Sequence, residues 1–439
     1  MTGHFFDVAV IAEGMNGLIA AYELSKTDVS VVLIDRYKPS LSMDGYVFNP
    51  YPQHLFSDAE LPDLFRQLHG VFETYAHPAF QVILPDRRID ISADGKKTIS
   101  EIARRFKGQS SGFAAYLSGE QALVDLLRRR RQEAQAVAGA FTKSAARIRT
   151  NVQVLRERQR MHRNLAGLMD DPLPSIVFRA IIRFLFPWNN GSTPPNDMRF
   201  APAVLRKRFY PMGGRDSLKN AILQELVRRN VNVLQDTEIS RIDYRKYFTV
   251  SIDHEQTVRA RTLVAEPLSE RTFSLLPLDV YRNVRKKFYV DNIFAGVHRS
   301  CLPELFNRVN SAVIVADYDR PLTNDNLIFL DANPISDIKR AKDEMAALTI
   351  TTLIHENSIS RISAIRNAVL SHVRRFMPFF DDFVENIYFT DPSVLWDNSG
   401  VPVNKRGVLL LNDEFINQYT LDSKYAYISR QVKKLISNL

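Results

Sequence analysis

The sequence predicts an α/β protein that opens on a parallel strand–helix–strand unit, and three observations predict it. Val8, Ala9, Val10 and Ile11 form a continuous apolar run, the pattern of a strand buried on both faces. Residues 14–25 then place Leu18, Ala21, Tyr22 and Leu24 along one helical stripe. After a turn at Asp28, residues 29–34 form a second apolar, β-branched run that ends on Asp35.

Between the first run and the helix lies Ala12-Glu13-Gly14-Met15-Asn16-Gly17. Its position and spacing are those of a G-x-G-x-x-G dinucleotide fingerprint, with Ala12 in place of the first glycine. In such a turn the first glycine makes the bend, the second admits the diphosphate and the third lets the helix pack closely on the strand. Gly14 and Gly17 keep the last two roles. Asp35 stands where a carboxylate binds a ribose hydroxyl, and Arg36 follows it. Candidate cofactor contacts are therefore Ala12, Gly14, Met15, Asn16, Gly17, Asp35 and Arg36, in a Rossmann-type βαβ unit. Glu13 adds a negative charge beside the amides that a diphosphate would use.

Length and composition bound the rest. A chain of 439 residues suits two domains rather than one core. With 45% hydrophobic and 24% charged residues it reads as an ordinary globular protein. Glycine supplies only 17 of 439 residues, below the roughly 7% average, where a dinucleotide-binding chain needs extra. The single cysteine, Cys301, forms no internal disulfide, and no metal-ligand, Ser-His-Asp or P-loop spacing is found. No catalytic residue is assigned. No run of about 18 apolar residues exists, and with the first strand starting so early no cleavable signal is expected. The expected location is cytoplasmic, with peripheral membrane contact as an added expectation.

The remaining elements follow in order. Residues 44–90 are broken by Pro50, Pro52, Pro62, Pro78 and Pro85. Helices are expected over 100–107, 118–169, 216–229, 337–355, 360–376 and 425–436. Strands are expected near 231–234, 247–252, 262–265, across 288–330 and at 408–411. The resulting division is a discontinuous Rossmann-type FAD/NAD(P)-binding domain, 1–80 with 205–270 and 395–439. A mixed α+β substrate or cap domain, 81–204 with 271–394, is interleaved with it.

Net charge is +9 with pI about 9.4. Arg128-Arg129-Arg130-Arg131 and the arginines up to Arg163 form a basic helical stretch with few aromatic residues, which argues for solvated helix faces and against nucleic acid. In residues 175–188, Ile176, Val177, Ala180, Ile181, Phe184 and Leu185 recur at helical spacing. Arg179 and Arg183 share another face and Trp188 ends the segment, the pattern of a helix lying in a membrane surface.

Several blocks together resemble the amine oxidase and phytoene desaturase-like superfamily of FAD-dependent oxidoreductases. They are the opening turn, then Asp44-Gly45-Tyr46-Val47-Phe48 with Pro52-Gln53-His54-Leu55-Phe56, then Tyr210-Pro211-Met212-Gly213-Gly214-Arg215-Asp216-Ser217-Leu218. Thr237-Glu238-Ile239-Ser240-Arg241-Ile242 and Gly407-Val408-Leu409-Leu410-Leu411-Asn412-Asp413-Glu414 complete the series, followed by the final helix. The resemblance implies FAD as cofactor, Ile239 beside the adenine, Asp413 near the ribityl chain and an apolar, isoprenoid-type substrate. It also exposes a systematic departure. Glycines of the family's pattern are replaced near Met43-Asp44 and at Tyr51, Asn412 and residues 422–425 with Arg430. Two readings therefore stand: an FAD-dependent oxidoreductase, or a non-catalytic relative that has lost flavin and serves as a binding, escort or scaffold protein. Partners in either case are an apolar small molecule or lipid, or another protein.

Overall fold

The computed structural model describes residues 5–50, 55–56, 68, 73–77, 79–92, 94–106, 111–119, 126, 152–153, 155–157, 159–160, 163–164, 168, 172–185, 208–252, 256–266, 270–276, 285–397, 404–405, 407–411 and 421–437. Two eight-stranded sheets carry most of them, beside smaller sheets of two and three strands. The first runs Asn232–Gln235, Val31–Asp35, Phe5–Ala12, Gln256–Glu266, Phe248–Ile252, Ile239–Tyr244. Val408–Leu410 lies parallel to the C-terminal part of Gln256–Glu266 and pairs in turn with Asn404–Lys405. The strands around Phe5–Ala12 are parallel, so Ala12 is level with both Asp35 and Glu266. A parallel sheet covered on both faces needs strands that are apolar throughout. Val8 to Ile11 and Val32 to Ile34 are fully buried, as their uninterrupted sequence requires.

The first helix, Met15–Leu24, packs against this sheet and between two others, Gly214–Arg228 and Leu421–Ile436. Leu18, Ile19 and Tyr22 meet Leu218, Ile222 and Leu226 with Ile428, Val432 and Leu435 in one core. Burial on nearly all sides explains why the first helix carries so little polar stripe. The α/β class with a Rossmann-type unit is the observed fold.

The second sheet runs Val384–Phe389, Arg285–His298, Met345–His355, Leu327–Ala332, Ser311–Val315, Ala79–Ile83, Arg88–Ser92, with Ser393–Asp397 also on Arg285–His298. One face is covered by Ile362–Phe376, the other by Gly95–Arg105, 111–119 and Pro172–Leu185.

One expectation is corrected. Residues 337–355, expected as a helix, are turns followed by the strand Met345–His355. Ala346 to Ile354 are all buried, and a run apolar enough to be covered on both faces shows no period that separates strand from helix. Its alternating Thr and Ile residues are the β-branched signal that decides it.

Within the segment 175–188, Val177, Phe178, Ala180, Ile181 and Ile182 are buried in the core between sheet and helices. Arg183 is buried as well, over the Phe288 ring at 5.7 Å, and burial holds its guanidinium down to about 10. Arg179 is exposed, so the two arginines share no surface face. Residues 186–188 and the basic stretch 128–150 lie outside the described residues. Among the described residues no helix is long and apolar enough to cross a membrane.

Candidate functional site

The C-terminal edge of a parallel sheet, at the mouth of the first helix, is where such folds take their ligands. Gly14 caps that helix with an extended backbone (φ −155°) and supplies no side chain. The amides of the first turn therefore need an acceptor from elsewhere. Glu266 provides it. Gly17 N donates to Glu266 Oε2 at 2.7 Å, and Asn16 N donates to Oε1 at 3.2 Å. Glu266 is 1% exposed. A carboxylate bound by two backbone amides at a helix N-terminus is the arrangement a phosphate group adopts there.

Gly17 is held to glycine by contact. A Cβ on it would lie 2.5 Å from Ala12 Cβ, 2.7 Å from Ala12 Cα and 3.1 Å from Glu266 Oε2. The third glycine of the fingerprint thus keeps its packing role, and the absence of a Cβ also leaves room for the Glu266 carboxylate.

One strand away, Asp35 has a fully buried side chain. Lys219, from helix Gly214–Arg228, places its ammonium 2.9 Å from Asp35 Oδ2 and also donates to the Tyr37 carbonyl. Tyr37 N donates to Asp35 Oδ1 at 3.1 Å. Glu13 accepts a hydrogen bond from Thr272, and Arg36 Nη1 lies 3.2 Å from Glu13 and donates to Thr272 at 2.7 Å. Desolvation raises the Tyr37 phenol above its ordinary range against the pull of Arg215.

Three features of this constellation stand against a bound dinucleotide. The amides for its diphosphate already hold a carboxylate. The acid for its ribose is buried under a lysine. Asp216 and Arg215 stand in the same region, and the cations Arg36 and Lys219 are already paired with Glu13 and Asp35 of the chain itself.

Where the two sheets meet, the hairpin of Leu41–Met43 and Tyr46–Phe48 is seated on the second sheet. Phe48 packs on Phe294 and Tyr388, and the Tyr46 ring covers Gly296, where a Cβ would come within 2.5 Å of it. Tyr46 donates to Glu385 at 2.6 Å and Tyr388 donates to Asp44. The hairpin's backbone is fixed as well, since Arg340 Nε donates to the Val47 carbonyl at 2.7 Å. Arg340 also donates to Tyr210, which donates to Asp337 at 2.6 Å, and Asp337 accepts the Gly213 amide at 2.9 Å. Burial keeps the Tyr210 phenol protonated, well above its ordinary range. Gly213 and Gly214, with φ of 79° and 73°, form the turn into helix Gly214–Arg228.

The structure thus brings together Ala12, Gly14, Met15, Asn16, Gly17, Asp35 and Arg36 around one sheet edge. Ile239 begins the edge strand Ile239–Tyr244 of that sheet and is fully buried, in one core cluster with Val32 and Ile34. Asp413, Tyr51 and Asn412 lie outside the described residues, as does the side chain of Tyr425; Arg430 is on the exposed side of the last helix. Sequence reasoning missed Glu266, Lys219 and Thr272. Glu266 left one signal, a charged residue ending an otherwise apolar strand run, Leu263-Val264-Ala265-Glu266.

Known structures share this fold. The chain aligns over 98% of its length with all of an oxidoreductase from Methanosarcina mazei, at TM-score 0.62 and 13% identity. It aligns over 100% of its length with 98% of a Rab GDI from Plasmodium falciparum, at TM-score 0.61 and 9% identity. A putrescine oxidase double mutant, redesigned in cofactor binding, aligns over 99% of both chains at TM-score 0.58 and 13% identity. No protein-family model matches the sequence, and no curated protein matches it. At such identities the likeness establishes the fold, one that serves oxidoreductases and a Rab GDI alike.

Proposed function

We propose that this chain is a flavin-free relative of the two-domain oxidoreductases that works as a binding or escort scaffold. The observation that carries the reading is the Glu266 carboxylate on the amides of Gly17 and Asn16. An enzyme of this fold uses the amides at the start of this helix for its cofactor, and here a carboxylate of the chain itself takes two of them.

The binding half of the proposal is supported by the loop at 334–340. It is folded inside out: Asp337 and Arg340 are buried at 1% and 0% exposure, while Ile335 and Ile338 stand 68% and 69% exposed. Single exposed apolar residues are ordinary. Two on a loop that buried charged neighbours hold in place form a preorganised apolar contact for a protein or lipid partner.

The test is the visible absorption spectrum of the purified, monodisperse protein, before and after incubation with excess FAD and desalting. The reading expects no flavin bands in either spectrum. Flavin retained near one equivalent restores the oxidoreductase reading.

A further inference from the structure

We propose that Glu266 is a built-in substitute for a nucleotide phosphate, and that removing its carboxylate turns the mouth of the first helix into a binding site for inorganic pyrophosphate. The inference rests on the flavin-free reading and names what closes the site. Three observations carry it. Glu266 is level with Ala12 on the strand beside it, at the sheet edge where the fingerprint turn begins. Its two oxygens take the amides of Asn16 and Gly17 separately, as two oxygens of one phosphate group would. Gly17 still lacks the Cβ that would crowd the bound oxygen, 3.1 Å from where that Cβ would stand.

The chemistry of the substitutions follows. Glu266→Ala leaves two buried amides without an acceptor and leaves the volume of a carboxylate empty. Glu266→Gln keeps the volume but carries one acceptor oxygen, and its NH2 group faces the second amide as donor against donor. Both variants therefore lose stability, and only a diffusible anion restores the lost contacts. A side chain that merely packs would give no such rescue.

The experiment is thermal unfolding of wild type, Glu266→Ala and Glu266→Gln, each titrated with pyrophosphate against sodium chloride of equal ionic strength. The expected result is a lowered midpoint for both variants. Pyrophosphate raises the Glu266→Ala midpoint in a saturable way, as ligand linkage requires, and leaves wild type unmoved. Failure of pyrophosphate to raise the Glu266→Ala midpoint overturns the proposal, and so does an equal rise in wild type. Should Glu266→Ala not fold, Glu266→Gln decides: a midpoint equal to wild type overturns it. Flavin retained by wild type ends the flavin-free reading, whereas a missing rescue in a flavin-free wild type ends this inference alone.

Discussion

Glu266 Oε2 accepts a 2.7 Å hydrogen bond from the amide of Gly17, a residue 249 positions earlier in the chain. Together with the bond from Asn16 N, it gives two first-turn amides of the first helix an acceptor from the neighbouring strand. A charge-assisted bond of this kind contributes about 1.5–3 kcal/mol, and the favourable end of the helix dipole adds to it. In the flavin-free reading, the same closure takes the place of the group for which such turns are built.

Gly17→Ala tests the packing beneath that bond. Alanine is the better helix former by about 1 kcal/mol, yet its Cβ would meet Ala12 Cβ at 2.5 Å. Overpacking of this kind typically costs about 1–3 kcal/mol. The urea midpoint of Gly17→Ala should fall below wild type; an increase would show that helix and strand are not in contact as described.

Asp35 and Lys219 form the second closure. Asp35→Asn leaves the lysine ammonium beside a neutral amide, and breaking a buried pair from one side costs about 3 kcal/mol or somewhat less where the cation keeps some access to water. Lys219 retains 14% exposure. The double variant Asp35→Asn/Lys219→Met should recover part of that loss. Equal destabilisation by the single and double variants in denaturant titrations would contradict the pairing.

How much of this was legible follows from where each signal sits. The βαβ opening was, because Val8 to Ile11, the helical stripe and Asp35 are local and need no knowledge of the rest of the chain. Gly17 was legible for the same reason. Glu266 was not: its role comes from strand register, which sets it level with Ala12 across 254 residues of sequence. Lys219 reaches Asp35 only because the helix after Gly213-Gly214 packs on the first helix. Burial misled in two places. Ala346 to Ile354 read as helix because a strand covered on both faces has no period, and Arg183 read as a surface residue because a buried arginine looks the same in sequence as an exposed one.

The inside-out loop makes a contrasting pair. Ile335→Ser and Ile338→Ser remove exposed side chains and should change stability by no more than about 0.5 kcal/mol. Asp337→Ala strips Tyr210 and the Gly213 amide of their shared acceptor and should cost about 2–4 kcal/mol for the two contacts together. Chemical denaturation of the three variants checks this. A large loss at either isoleucine would show that the loop packs differently.

Acid sensitivity has a local source in helix Gly214–Arg228. Hydrogen bonds from Arg228, and then from Arg229, hold the Glu225 carboxyl down to about 2 from an ordinary 4.5. The folded value is the lower one, so the contribution is complete above the unfolded value and disappears as pH falls toward 2. The stability difference between wild type and Glu225→Gln should therefore shrink as pH is lowered from 5 toward 2. A difference independent of pH across that window would contradict the assignment.

The central claim is that a side chain occupies the diphosphate position, and a crystal structure of wild type grown with excess FAD tests it most directly. The account predicts density for the Glu266 carboxylate on the amides of Asn16 and Gly17 and none for a nucleotide. A diphosphate on those amides, with Glu266 displaced, would contradict it.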